Sequence, residues 1–202
     1  GVLETVEVTP EGSVPVQARL DIIFQKPRRQ RIIANLPARI ETTALDDYEA
    51  WQKVEDPADP TRWRLTLLPR DQVRRLRANT WENLSFFRGL ETISGRLEDL
   101  GQVELDGVQT HKIAFVHAND IIFFRYFDLA TGRLVLTETE QGSRIREEGE
   151  IRAGGIRFPR KVITTNKLPD GSVREVTVTF EQVEVNTTHP ASLFAVPPVS
   201  AP

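Results

Sequence analysis

The sequence predicts a mainly β protein of the α+β type: a strongly curved antiparallel sheet with one amphipathic helix over about 69–90 packed on its concave face. Three observations lead there. From Val103 to Val185, runs rich in Val, Ile, Thr and Phe alternate with short turns at Asp106-Gly107, Ala130-Thr131-Gly132, Gly154-Gly155 and Asp170-Gly171. Gly and Asp supply the positive-φ or self-bonding backbone that tight turns need. These connections are too short for parallel crossovers, so neighbouring strands must be antiparallel. Finally, one segment near residue 80 changes from a strand period to a helical one, and its apolar stripe needs a surface to cover.

In chain order, Val14 to Gln25 alternates well, with Val14, Val16, Ala18, Leu20, Ile22 and Phe24 on one face and Pro15 at a tolerated early position. Lys26-Pro27 breaks that run, and Arg29 to Leu36 forms the next strand. Ile40 to Leu45 and Tyr48 to Val54 form a hairpin around Asp46-Asp47. Asp56-Pro57-Ala58-Asp59-Pro60 is expected to be a loop, since two prolines remove ladder donors. Trp63 to Leu68 is a short strand.

Pro69 to Leu90 is the helix. Val73, Leu76, Thr80, Leu84 and Phe87 fall at steps of three or four, with Trp81 beside them, and Arg70, Arg74, Arg75 and Arg77 occupy the other face. Pro69 suits the first turn and Gly89 the stop. The whole sheet is expected to hold roughly nine to eleven strands. Ile121-Ile122-Phe123-Phe124-Arg125-Tyr126-Phe127 is apolar on both strand faces, as in a strand covered on both sides or lining a greasy cavity. Leu193 and Phe194 are expected to fold back onto the sheet, and 199–202 to fray.

At 202 residues the chain fits a single domain over 1–202, and 39% hydrophobic with 27% charged residues suits a protein that buries a core. The net charge of −3 gives no overall attraction to nucleic acid, and the chain lacks an apolar run of about 18 residues, so it is read as peripheral to a membrane and not spanning it. With no cysteine, disulfides, thiolate catalysis and Cys-ligated zinc are excluded. The opening Gly-Val-Leu reads as a trimmed start from which a signal peptide has been removed.

Catalytic chemistry finds little support. His111 and His117 share a strand face about 20 Å apart, too far for one metal ion, and His189 precedes a proline in the tail. Asp46-Asp47, Glu147-Glu148 and Asp120 sit where hairpin tips carry solvated carboxylates. The sequence holds no nucleophile elbow, phosphate loop or dinucleotide fingerprint, so no catalytic residue, metal or cofactor is assigned. Two basic clusters, Lys26 to Arg31 and the helix arginines, suit either an anionic partner or a solvated face with nearby carboxylates.

Several segments together resemble the periplasmic lipoprotein carriers of the LolA/LolB type and the wider outer-membrane lipoprotein-sorting group. They are Phe24-Gln-Lys-Pro27-Arg-Arg-Gln-Arg31, Ala44-Leu-Asp-Asp47-Tyr-Glu-Ala-Trp51, Tyr126-Phe-Asp128-Leu-Ala-Thr-Gly132-Arg-Leu134, Gly155-Ile-Arg-Phe158-Pro159, and Asn186 through Phe194 to Pro197. Asp47-Tyr48 stands where the family usually has Asp-Gly, and the family's N-terminal helix has no counterpart before the first strand. The resemblance implies an unclosed β-barrel, a half-barrel whose hollow accepts acyl chains, in a periplasmic or outer-membrane-associated protein exported by a signal peptide outside this sequence. Its expected partners are lipid or lipoprotein acyl chains and an envelope partner protein. The hydrophobic wall is expected at Phe24, Trp51, Trp81, Leu84, Phe87, Phe115 and Phe124, with Arg29 or Arg31 meeting a head group or anionic partner. The alternative is a structural or protein-interaction module whose hollow its own helix fills.

Overall fold

The computed structural model describes residues 1–9 and 12–198, with side chains described throughout these except at 7–9 and 12–14. The expected facing of Val14 and the expected fraying of 199–202 lie outside the described residues. In chain order the strands are β1 (Val2–Thr9), β2 (Gly12–Gln25), β3 (Arg29–Asn35), β4 (Ile40–Asp46), β5 (Glu49–Asp56) and β6 (Asp59–Leu67). Helix α1 (Arg70–Ser85) and a 3₁₀ turn at Leu90–Ile93 follow. Then come β7 (Arg96–Leu105), β8 (Val108–Ala118), β9 (Ile121–Asp128), β10 (Leu134–Thr139), β11 (Arg144–Glu148), β12 (Ile151–Ala153), β13 (Ile156–Phe158), β14 (Lys161–Lys167) and β15 (Val173–Thr179). A last 3₁₀ turn spans Ala191–Leu193.

Thirteen strands lie in a large antiparallel sheet, while β12 and β13 form a separate hairpin. Among the described residues β6 pairs only with β5 and β7 only with β8, so the sheet is not closed into a barrel. The strand number exceeds the sequence expectation for two reasons. Strand β1 pairs along its length with β15, and tight turns at Asn119-Asp120 and Gln141-Gly142 divide the meander further.

The chain packs as two compact units, residues 1–17 with 88–185 and residues 18–87 with 186–202. In the first unit the ladder runs β1-β15-β14-β11-β10-β9-β8-β7. The Asp106-Gly107 turn has both residues at positive φ, 51° and 80°, the backbone of a two-residue primed hairpin. The Gly154-Gly155 turn closes the β12–β13 hairpin, and β11 pairs past it with β14. The first unit therefore departs from a plain meander at that insertion.

In the second unit, β2 to β6 form a continuous hairpin series. The 56–60 segment is not a loop: only Pro57 and Ala58 lie outside the strands, and Pro60 sits in β6. Strand β6 is at the sheet edge, where a missing N–H can face solvent at no cost to the ladder. Helix α1 begins after Pro69 and ends at Ser85, five residues before the expected limit. Phe86 and Phe87 both turn left-handed, with φ of 50° and 66°, before Gly89 is reached. Phe87 is consequently off the helix and exposed.

Candidate functional site

Strand register sorts the first unit's side chains onto two unlike faces, because alternate residues of each strand point to opposite sides. One row runs Ile113–Arg125–Thr137–Ile145–Thr164–Val176–Thr5 across seven strands. Beside it lie the pair Phe115–Phe123 and the row Glu147–Val162–Val178–Leu3. This face is largely aliphatic, aromatic and threonine-rich, with Asp99, Arg125, Glu147 and Arg174 as charges and His111 paired to Asp99 at its edge. The reverse face carries Ala114–Phe124–Glu138–Arg144–Thr165–Glu175 in a single row. There Glu138 accepts from the Tyr126 hydroxyl at 2.6 Å and pairs with Arg144 at 3.2 Å.

Many of the apolar-face residues are half-buried: Leu3, Ile145, Val162, Val176 and Val178 all keep some exposure. Arg125 is the buried charge of that face, 5% exposed, with its guanidinium carbon 4.3 Å from the Phe115 ring centre and 6.0 Å from that of Phe123. A guanidinium over aromatic faces is favoured by the ring quadrupoles. Glu147 has its carboxyl held above the usual carboxylate range, because desolvation outweighs the attraction of Arg125 and Arg157. Glu147 as a residue remains exposed, so its carboxyl is only partly withdrawn from water.

In the second unit both faces of the sheet are occupied. On one, Val73 and Leu76 of α1 pack with Leu45, Ala50 and Leu68. The buried Gln30 carbonyl accepts from the Thr80 hydroxyl at 3.0 Å and the Asn79 amide at 3.4 Å, fixing α1 to β3. On the other face, the row Arg31–Ala44–Trp51 meets the C-terminal segment. The Trp51 indole N–H donates to the Phe194 carbonyl at 2.9 Å, and Arg31 Nη1 donates to the Leu193 carbonyl at 2.7 Å. Phe194 is fully buried. Gln25 accepts from the His189 backbone N–H at 3.1 Å. A cavity of about 360 Å³ remains on this face, lined by Arg31, Thr42, Trp51, Lys53 and Glu55 and, from the segment, by Ser192 and residues 195–198.

The basic run before β3 is largely matched by carboxylates. Arg28 pairs with Asp47 at 3.3 Å and Arg29 with Asp46 at 2.8 Å. Arg77 of α1 pairs with Asp47 at 3.3 Å and stacks 3.8 Å from the Tyr48 ring centre.

The seven expected wall residues do not converge. Phe24 pairs with Gln30 and so shares the α1 face, whereas Trp51 points to the opposite face. Phe115 lies on the apolar face of the first unit and Phe124 on its reverse, with the Lys112 ammonium 4.8 Å from its ring centre. Trp81 is buried, Leu84 half-buried and Phe87 exposed. Arg125 was not singled out from the sequence, although a lone arginine inside an aromatic strand run was a visible signal. The anchoring of Trp51 by Phe194 has no local signal, since 143 residues separate them.

Among the described residues no group of three His, Cys, Asp or Glu side chains is placed to hold a metal ion. No helix among the described residues is long and apolar enough to cross a membrane.

No protein-family model matches the chain, and no curated protein matches it in sequence. Solved structures do resemble it. A putative outer membrane lipoprotein-sorting protein domain from Vibrio parahaemolyticus superposes with a TM-score of 0.56 at 12% identity, covering 92% of this chain and 86% of its own. A LolA superfamily protein from Nitrosomonas europaea gives 0.56 at 12% identity, covering 96% and 88%. A DUF1329 family protein from Desulfovibrio piger gives 0.54 at 8% identity, covering 96% and 90%. Identities this low carry the architecture and nothing more. The chain has a LolA-like fold, built on a large antiparallel sheet that stays open.

Proposed function

We propose that this chain is a non-enzymatic cell-envelope protein that binds a lipid or acyl group on the apolar face of its first unit. The observation that carries this reading is the asymmetry of that sheet. Seven strands present a face whose central rows are mostly Ile, Val, Leu, Phe and Thr and remain half-buried. Its charges are confined to Arg125, Glu147 and positions toward its margins, and it is backed by a row that carries the Glu138–Arg144 ion pair. Acyl chains take such surfaces because each methylene withdrawn from water contributes about 0.8 kcal/mol. Of the residues expected to form the wall, Phe115 belongs to this face. The names of the structural relatives, a lipoprotein-sorting domain and a LolA superfamily protein, agree with a periplasmic carrier or sensor of lipid or lipoprotein acyl chains. An envelope partner protein would complete such a role.

The test is direct. Organic extraction of the purified protein followed by mass spectrometry should release a lipid in near-stoichiometric amount. Finding none, in protein expressed with export to a bacterial envelope, argues for a second reading. That reading is a structural or interaction module, favoured by the way α1 fills one face of the second unit with Val73, Leu76 and the Gln30–Thr80 bond.

A further inference from the structure

Three arginines stand at the start of β3, and the third differs from the other two. Arg28 and Arg29 each face a carboxylate, Asp47 and Asp46. Arg31 meets no carboxylate among the described residues. Its contacts are uncharged: the Leu193 carbonyl on Nη1 and the Trp51 ring, whose centre is 5.9 Å from the guanidinium carbon. Its Nε–H is shielded from solvent and has no hydrogen-bond acceptor. A guanidinium with no carboxylate beside it favours an anionic oxygen at its remaining accessible N–H groups.

Arg31 lines the 360 Å³ cavity beneath the C-terminal segment. Lys53 lines it too, but its ammonium is engaged by Glu55 at 2.7 Å, so that pair cancels. The polar floor is thus left with the charge of Arg31. Trp51 shares the floor with Arg31, and the C-terminal segment supplies an apolar wall of Ala195, Val196 and Pro197. The volume falls at the small end of the range for small-molecule sites.

The geometry points to this cavity as a binding site for a compact organic carboxylate, with the carboxylate on the Arg31 guanidinium and the apolar body against Trp51 and Pro197. Arg31 is suited to this because, among the described residues, its charge meets no carboxylate and only Nη1 is held, by the Leu193 carbonyl, so the guanidinium edge that lines the cavity keeps donors for a carboxylate oxygen. The site lies wholly in the second unit and stands or falls independently of acyl binding by the first.

Calorimetric titration of the whole protein with 2-naphthoate tests it, against 2-naphthylmethanol as the neutral counterpart and inorganic phosphate as the anion without an apolar body. Naphthoate should bind saturably, and both controls should bind at least about tenfold more weakly. Arg31→Lys keeps the charge but loses the fork, and should weaken naphthoate about tenfold while leaving the neutral compound unchanged. Val196→Trp, which fills the cavity without touching the guanidinium, should abolish binding. The proposal is overturned if naphthoate gives no saturable heat at millimolar concentration, if either control equals it, or if neither substitution weakens it.

Discussion

Replacing Phe194 with alanine tests whether the C-terminal segment is a structural part of the second unit. Phe194 is fully buried, its carbonyl accepts from Trp51, and the Arg29 guanidinium lies 5.9 Å from its ring centre. Truncating a buried phenylalanine costs about 3–5 kcal/mol, the sum of lost transfer energy and a cavity that the surroundings close only in part. A unit of this size loses about 4–8 °C of melting temperature per kcal/mol, so Phe194→Ala should lower the second unit's transition by about 12 °C or more. Phe194→Leu, which keeps most of the volume, should cost under about 1.5 kcal/mol. Calorimetric melting with Trp51 fluorescence as a parallel probe reads both. A fall of less than about 1 kcal/mol for Phe194→Ala would mean the segment contributes no more than an ordinary surface tail, and would refute the packing argument.

Other substitutions probe separate parts of the fold. A Cβ at Gly95 would stand 2.6 Å from Leu90 side-chain carbons and 2.9 Å from the Val116 carbonyl oxygen, so Gly95→Ala should destabilise the first unit by about 1–3 kcal/mol in urea titration. Gln30→Ala removes the acceptor shared by Thr80 and Asn79 in a buried site, and should cost about 2–4 kcal/mol by the same assay. Glu147 has a pKa raised on folding from 4.5, so its contribution to stability is full below that value and is lost as pH rises through the folded-state value. Glu147→Gln should therefore melt higher than the parent at neutral pH, with the difference vanishing below pH 4.5, in thermal melts across that range.

Much of the fold was legible from local pattern, because turn chemistry and strand period are local. The turns at Asp106-Gly107 and Asp170-Gly171 and the α1 stripe of Val73 and Leu76 appear where those signals place them. Signals that depend on position in the sheet were not legible. Pro60 is accommodated because β6 is an edge, and the early stop of α1 rests on two phenylalanines in left-handed backbone, a conformation no propensity favours. The site suffered most. Which face a side chain takes depends on register, and it shifts at Asp99–Gln102, where Gly101 sits at a φ of 77°, and at Leu134–Leu136, where no glycine or proline lies within the irregularity. Phe115 and Phe124 are both strong apolar residues nine positions apart, yet they land on opposite faces. Trp51 and Phe24 separate in the same way. Aromatic character identified residues that bury; register alone decided what they bury against.

Titration of a fluorescent acyl probe against a matched pair of variants is the most direct measurement of the central claim. Ile145 lies on the apolar face of the first unit and Ile163 on its reverse, both half-buried and on neighbouring strands. The parent should bind the probe saturably, Ile145→Asp should abolish that binding, and Ile163→Asp should retain it at comparable melting temperature. Absence of saturable binding in the parent, or equal loss in both variants, would contradict an acyl site on that face.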